Sequence, residues 1–249
     1  MISVILPTYN SENTIKRSIK SVENQKCTID IELLIINDAS TDNTKLILGG
    51  LVDKEHIKYS IIHNKINRGV GYCRRIGIKR AKGEFIAFLD ADDFWLEDKL
   101  DIQLRTLREN PEFKICFSNY LIEGNNKNYF LEKKRKVITL ESNQFCNNIP
   151  MSTAILYSKI AKKIDYPLIK IRNDFIFWNK VLRLNSATKA INCNDGKPLA
   201  VYGKNKGLSS NKLRILRYQW KVYRFFFKYG IIKSFYGIFI NICIAILKT

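Results

Sequence analysis

The first half of the chain alternates short apolar runs with segments whose apolar residues recur at helical spacing. "ISVILP" is a continuous apolar run ending at Pro7. Behind it, Ile15, Ile19 and Val22 share one face of a helix in "SENTIKRSIKSVENQ", with Ser11 or Asn13 as its cap. "IELLIIND" predicts a second buried strand and "IKYSIIHN" a third strand, separated by a short helix in "STDNTKLILGGL". "RGVGYCRRIGIKRAKG" predicts a helix closed by Gly83, and "EFIAFLDADD" a fourth strand. "WLEDKLDIQLRTLREN" predicts a helix stopped before Pro111, and "EFKICFSNYLI" a fifth strand. Unbroken apolar strands between helices predict an α/β fold with a doubly wound, mainly parallel sheet flanked by helices. Such sheets bind ligands beyond the carboxyl ends of their strands. "PTYN", "NDAS" and "DADD" all stand there and should converge on one edge.

The second half is less regular. "NNKNYFLEKKRKVITL" predicts a polar hairpin or loop, and "GKNKGLSSNK" a loop. "IRNDFIFWNKVLRLN" predicts a helix with Phe175, Trp178 and Leu182 on one side. From Leu213 the pattern is helical to the end. Arg217, Lys221, Arg224 and Lys228 form one basic stripe there, and Leu216, Trp220, Tyr223 and Phe227 an adjoining apolar face. The apolar segment Ile231 to Leu247, interrupted by Lys233 and Asn241, is marginal for spanning a bilayer.

Charge changes the picture more than composition does. A net charge of +19 over 249 residues implies a polyanionic partner: nucleic acid, an anionic membrane or a phosphorylated substrate. No Asp or Glu follows Asp195, while Lys and Arg continue. The cysteines (Cys27, Cys73, Cys116, Cys146, Cys193, Cys243) form no CxxC pair, which argues against structural zinc. With no export signal at the N-terminus they are expected to be reduced and cytosolic.

Against that charge, "FLDADDFW" sets Asp90, Asp92 and Asp93 at the end of a strand. A sharp turn there would aim carboxylates into one pocket suited to a hard divalent cation, completed by substrate phosphates. The rival reading is an acidic helix N-terminus, with Asp92 or Asp93 capping "FWLEDKL".

"VILPTYN", "IINDASTDNT", "NRGVGYCRRIGIKRAKGEFIAFLDADD" and "RNDFIFW", in this order, resemble glycosyltransferase family 2. These are inverting enzymes of the GT-A fold that use nucleotide-diphosphate sugars. The resemblance covers roughly residues 1 to 210. It implies a transferase domain at 1–210, with a nucleotide-sugar half at 1–110 and an acceptor half at 111–210. Residues 211–249 are left as basic amphipathic helices. It further implies a nucleotide pocket begun by Pro7, Thr8, Tyr9 and Asn10, with Tyr9 against the base. Asp38 would accept a hydrogen bond from uracil, and Arg74 would sit near the diphosphate or ribose. Asp90 and Ala91 would line the sugar and ribose, Asp92 would bind Mn²⁺ or Mg²⁺, and Asp174 would be the catalytic base.

The chain also departs from that pattern. Asn173 replaces the glutamate that often precedes the base, and Arg75 stands where asparagine is common. Gly203 and Lys204 occupy a region where relatives often carry Arg and His, and Lys204 and Lys206 are expected to reach the diphosphate from a lid. The basic, aromatic tail fits a helix lying in the membrane interface, on the cytoplasmic face of the inner membrane; the alternative is a C-terminal helix packed on the core, with its Lys and Arg exposed for solubility. A peripheral transferase there would use a UDP-sugar and a lipid-linked saccharide, such as an undecaprenyl-diphosphate saccharide of O-antigen or capsule assembly. Two rivals come from charge and carboxylates alone. A nucleic-acid-binding protein is set aside for want of a nucleic-acid motif, and nucleic acid with it as a partner. A nucleotidyltransferase is ranked low because "PTYNSENT" has neither glycine nor a basic residue.

Overall fold

The computed structural model describes residues 1–124, 128–131, 135–193, 197–203 and 212–246. Its centre is an eight-stranded sheet. Strand β1 (Ile2–Thr8) pairs in parallel with β2 (Ile31–Asn37) on one side and with β4 (Phe85–Phe88) on the other. Strand β3 (Ile57–His63) extends the sheet beyond β2, also in parallel. Between these strands run α1 (Ile15–Glu23), α2 (Thr44–Gly49) and α3 (Val70–Arg80).

The two faces separate residue by residue. Ile2, Val4 and Leu6 of β1, with Leu33 and Ile35 of β2, pack beneath α1, α2 and α4 (Lys99–Glu109). Ile5, Leu34 and Ile36 turn to the opposite face, against α3 and α7 (Asn173–Arg183). A strand covered on both sides has no solvated face, which is why these runs show no polar alternation. The sheet is doubly wound and mainly parallel, as the pattern predicts, and carries a helical tail.

Beyond β4 the order departs from a simple parallel series. The expected fifth strand is broken. Ile115–Phe117 forms β6 in the main sheet, and Asn119–Ile122 forms β7 in a second sheet. An antiparallel strand, β10 (Ile155–Tyr157), is inserted between β4 and β6. Strands β11 (Ala190–Asn192) and β9 (Val137–Ile138) complete the edge, and the short helices α5 (Leu140–Asn143) and α6 (Ser158–Ala161) flank β10 in the chain. The second sheet has the order β5 (Phe94–Trp95), β12 (Pro198–Tyr202), β7, β8 (Tyr129–Leu131), so the first half of the chain is sewn into the second.

Two further corrections concern the ends of elements. No helix follows directly on Asp93. The chain enters β5 instead and α4 begins only at Lys99, so neither Asp92 nor Asp93 is a helix cap. Helix α3 ends at Arg80 with Ala81 as its cap, before Gly83. Gly83 is instead pressed against β1, where a Cβ would stand 2.5 Å from the Ser3 nitrogen.

The tail comprises α8 (Lys212–Lys221), a π-helical stretch Val222–Phe226 and α9 (Ile231–Ile246). It is not free of the core. Val222, Tyr223 and Phe227 pack on Phe175 and Ile176 of α7. Helix α7 is thus clasped between sheet and tail, which accounts for its consecutive buried residues Phe175, Ile176, Phe177 and Trp178. Among the described residues no helix is long and apolar enough to cross a membrane.

Candidate active site

The three loops meet at one sheet edge. The Asp38 N–H donates to the Thr8 carbonyl at 2.9 Å. The Asn10 N–H reaches Ser40 Oγ at 3.0 Å, and the Thr41 N–H reaches Asn10 Oδ1 at 2.8 Å. Asn10 (φ 49°) and Ala39 (φ 60°) hold left-handed backbone, a strained state that non-glycine residues keep where surroundings enforce it. Pro7 and Thr8 are buried, whereas the Tyr9 ring is half exposed at the mouth of this edge. Asp38 is buried and occupied. Its carboxylate accepts from Asn64 at 2.7 Å, from the Arg68 N–H at 3.0 Å and from the Gly69 N–H at 2.6 Å. It latches the loop that opens α3, where Gly69 takes φ 84°.

The acidic turn, Asp90–Asp93, is closed by the Asp93 N–H on the Asp90 carbonyl at 3.0 Å. Helix α1 holds its back. Ser18 Oγ donates toward the Ala91 and Asp93 carbonyls at 2.9 and 2.6 Å, and Arg17 to the Asp92 carbonyl at 3.2 Å. Arg17 is in turn pinned by Glu123. On the other side Ser152 joins two members of the turn. Its Oγ accepts from the Asp90 N–H at 3.1 Å and donates to Asp93 Oδ2 at 2.5 Å. Gly203 covers the turn from above, donating to Asp93 Oδ1 at 3.0 Å.

Arg74 links this turn to α7. Its guanidinium donates to Asp90 Oδ1 at 2.5 Å and to Asn173 Oδ1 at 2.8 Å, with the Tyr166 hydroxyl at 3.2 Å. Burial opposes the charge on Arg74, yet Asp90, with Tyr166 and Asp174, more than offsets this and raises its pKa. Asn173 therefore serves as an uncharged clamp for Arg74. Asp174, in the first turn of α7, accepts from Asn147 Nδ2 at 2.7 Å. Arg172, just before α7, is left-handed (φ 67°). Arg75 points elsewhere and pairs with Asp165 at 2.7 Å. Lys204 and Lys206 lie outside the described residues.

The turn holds more negative charge than its neighbours neutralise. Burial first, then the charge of Asp90, pushes Asp92 up to about 6. Burial, Asp90 and Asp92 raise Asp93 well above the usual carboxylate range. Carboxylates so raised gain from a divalent cation, which relieves their repulsion. Among the described residues no group of three or more His, Cys, Asp or Glu can hold a metal ion alone. The donor set fits a cation held by Asp92 and completed by phosphate oxygens rather than a protein cage.

The profile of Glycosyl transferase family 2 matches residues 3–178, spanning β1, the acidic turn and the start of α7. The chain belongs to glycosyl transferase family 2. This family 2 glycosyltransferase is 32% identical over 225 residues, 89% of its length and 85% of the relative's, to the UDP-Glc:alpha-D-GlcNAc-diphosphoundecaprenol beta-1,3-glucosyltransferase WfgD of Escherichia coli. Its fold resembles S. aureus TarS 1-349 in complex with UDP-GlcNAc, with TM-score 0.72 and 23% identity over 89% of this chain and 65% of that one. It also resembles the mannosyltransferase PcManGT of Pyrobaculum calidifontis in complex with GDP-Man and Mn2+, with TM-score 0.64 and 16% identity over 88% of this chain and 60% of that one. The family 2 glycosyltransferase thus spans about six-tenths of the length of each solved chain and shares their GT-A arrangement.

Of the residues singled out in the sequence, Arg74 and Asp90 form an ion pair, Asp92 lies in the same turn as Asp90, Asp174 acts on Arg74 electrostatically, and Asp38 lies on the adjoining loop. Ser152, Asn147, Ser18 and Arg17 were not singled out. They arrive from distant points in the chain, and no local signal marks them.

Proposed function

We propose that this chain moves a sugar, with inversion, from a UDP-sugar to a saccharide carried on undecaprenyl diphosphate. The setting is the cytoplasmic face of the inner membrane during assembly of a surface polysaccharide such as O-antigen or capsule. The observation that carries the reading is the under-neutralised acidic turn beside Arg74 and Asp174 at the carboxyl edge of the sheet. WfgD, by its name, joins glucose from UDP-Glc to a diphosphoundecaprenol-linked sugar.

In this reading residues 1–110 hold the donor, 111–210 the acceptor and 211–249 the membrane. Pro7, Thr8, Tyr9 and Asn10 begin the nucleotide pocket, Tyr9 offering its exposed ring to the base. Asp38 keeps the loop at Arg68 and Gly69 in place and presents its remaining acceptor capacity to uracil. Asp90 and Ala91 line the ribose and sugar. Asp92 would hold Mn²⁺ or Mg²⁺, which when bound neutralises the departing diphosphate. Asp174 takes the proton of the attacking hydroxyl. That oxygen bonds to the anomeric carbon as the bond to the diphosphate breaks on the opposite face, so one base suffices. Arg74, held charged by Asp90, adds positive potential where negative charge develops.

The tail supports the membrane part of the reading. Ile232 is 87% exposed, Phe225 72%, and Phe235, Tyr236 and Phe239 are also exposed. Lys221, Lys228 and Lys233 stand among them, and no acidic residue follows Asp195. An apolar, aromatic and basic face complements an anionic bilayer.

A thermal-shift titration with UDP, GDP and dTDP, each with and without Mn²⁺, on wild type and Asp92→Ala tests the site. The expected result is a UDP shift of roughly 5 °C or more at a hundredfold excess over Kd, requiring both Mn²⁺ and Asp92. No shift with any nucleotide would overturn the reading.

A further inference from the structure

The segment Asn143–Asn148 lies between α7 and the tail and is tied to both. Asn179 of α7 donates to the Asn143 carbonyl at 3.4 Å. Asn148 closes back on Asn143 Oδ1 at 2.8 Å and on the Ser142 carbonyl at 2.7 Å. The Phe145 carbonyl accepts from the Tyr223 hydroxyl and from Asn241 Nδ2, each at 2.8 Å. Both donors belong to the tail. The Phe145 ring packs edge-on against Tyr223, Tyr229 and Tyr236. Gly237 lets α9 approach so closely that a Cβ there would stand 2.8 Å from the Phe145 ring and 2.6 Å from that of Tyr223.

Two residues after this grip comes Asn147. Its Nδ2 donates to Asp174 Oδ2, while its Oδ1 is buried with no hydrogen-bond partner among the described residues. A buried acceptor is costly to leave unpaired, and the bond that the same amide donates to Asp174 is what offsets that cost here. We propose that Asn147 is a positioning residue for Asp174, orienting it toward the acceptor saccharide, and that the tail sets where Asn147 stands by gripping the Phe145 carbonyl. The inference rests on the reading of Asp174 as the base. The Asn147 amide fixes one carboxylate oxygen, leaving the other to take the proton. Ser234, Gly237 and Asn241 form the inner side of α9, and Ile232, Phe235, Tyr236 and Phe239 remain exposed on it. The helix offered to the bilayer is the one that braces the base.

The test measures UDP release from a panel of UDP-sugars, with a synthetic GlcNAc-diphospho-lipid in phosphatidylglycerol vesicles as acceptor. Variants are Asn147→Ala, Asn241→Ala, Tyr223→Phe and the double variant Asn147→Ala/Asn241→Ala. Asn147→Ala is expected to lower kcat by about 10- to 100-fold with donor KM unchanged. Asn241→Ala and Tyr223→Phe should each lower kcat by about tenfold, again without change in donor KM or in the UDP thermal shift. The double variant should be no slower than Asn147→Ala alone, since both act through one residue. Multiplying losses, a loss carried by donor KM, or an unchanged kcat would overturn the proposal while leaving the transferase reading intact. A wild type that releases no UDP from any donor removes that reading and the proposal with it.

Discussion

Gly203 approaches the acidic turn so closely that a Cβ would stand 2.0 Å from the Asp92 carbonyl oxygen. Nothing there can give way, because that carbonyl is held from behind by Arg17 and its neighbours by Ser18. Gly203→Ala should therefore destabilise the fold by about 1–3 kcal/mol and abolish the Mn²⁺-dependent UDP shift. Gly230→Ala, with nothing within 4 Å of its Cβ, should change neither. Thermal melts with and without UDP and Mn²⁺ check both variants. The candidate site was legible only in part. Asp90, Asp92 and Asp93 stand out as three carboxylates at a strand end, whereas Arg74 and Asp174 are marked only by the resemblance to glycosyltransferase family 2. What the sequence hides is support that comes from afar. Ser152 meets Asp93 across 59 residues and Gly203 meets it across 110, separations that no local pattern encodes. Asn173 shows the reverse case. It departs from the family pattern in sequence, and only the contact with Arg74 gives it a role.

Among elements, α4 carries an unusual burden in Lys99. Its side chain is fully buried, donates to Gln103 at 2.7 Å and lies 4.0 Å from the Trp95 ring centre. Burial lowers its pKa to about 7, because one ring face and one amide do not replace the hydration of an ammonium. The unfolded lysine titrates near 10.4, so above about pH 7 the unfolded chain binds more protons and stability rises with pH. Above about pH 8.5 the buried Cys116, raised by its own burial, acts in the opposite sense. Melting temperature thus gains an upward slope between about pH 7 and 8.5 from Lys99, set against the raised Asp93, which acts in the opposite sense. It should climb less in Lys99→Met, which should be the more stable chain below that window. Elements with long apolar runs were legible, since their burial on both faces is written in every residue. Strands β5, β6 and β7 are two to four residues long and fall below any periodicity. The inserted β10 was invisible because a run of apolar residues does not name its partner or direction. In the tail, the face expected from Leu216, Trp220, Tyr223 and Phe227 splits. Tyr223 and Phe227 are buried on α7, while Phe225 turns outward. The π-helical stretch Val222–Phe226 shifts the phase of the 3.6-residue period there.

At the scale of the molecule, the net charge of +19 is unequally carried, and its acid-free end also carries the exposed aromatics. Co-sedimentation with phosphatidylglycerol vesicles should weaken about tenfold or more in Phe235→Ser/Phe239→Ser, and in wild type as salt is raised. Binding to neutral phosphatidylcholine vesicles should be much weaker throughout. Binding to DNA but not to anionic vesicles would count against the tail as a membrane face. The sheet order has a consequence for how the chain is born. Strands β3, β2, β1 and β4 are contiguous in space and finish by Phe88, so this half can close while the remainder is still being synthesised. The outer edge of β4 then stays unpaired until β10, ending at Tyr157, leaves the ribosome. At about 5 to 20 residues per second that interval is roughly 4 to 14 seconds. For that time a wholly apolar edge strand is open to other nascent chains, and shielding it is work for a chaperone.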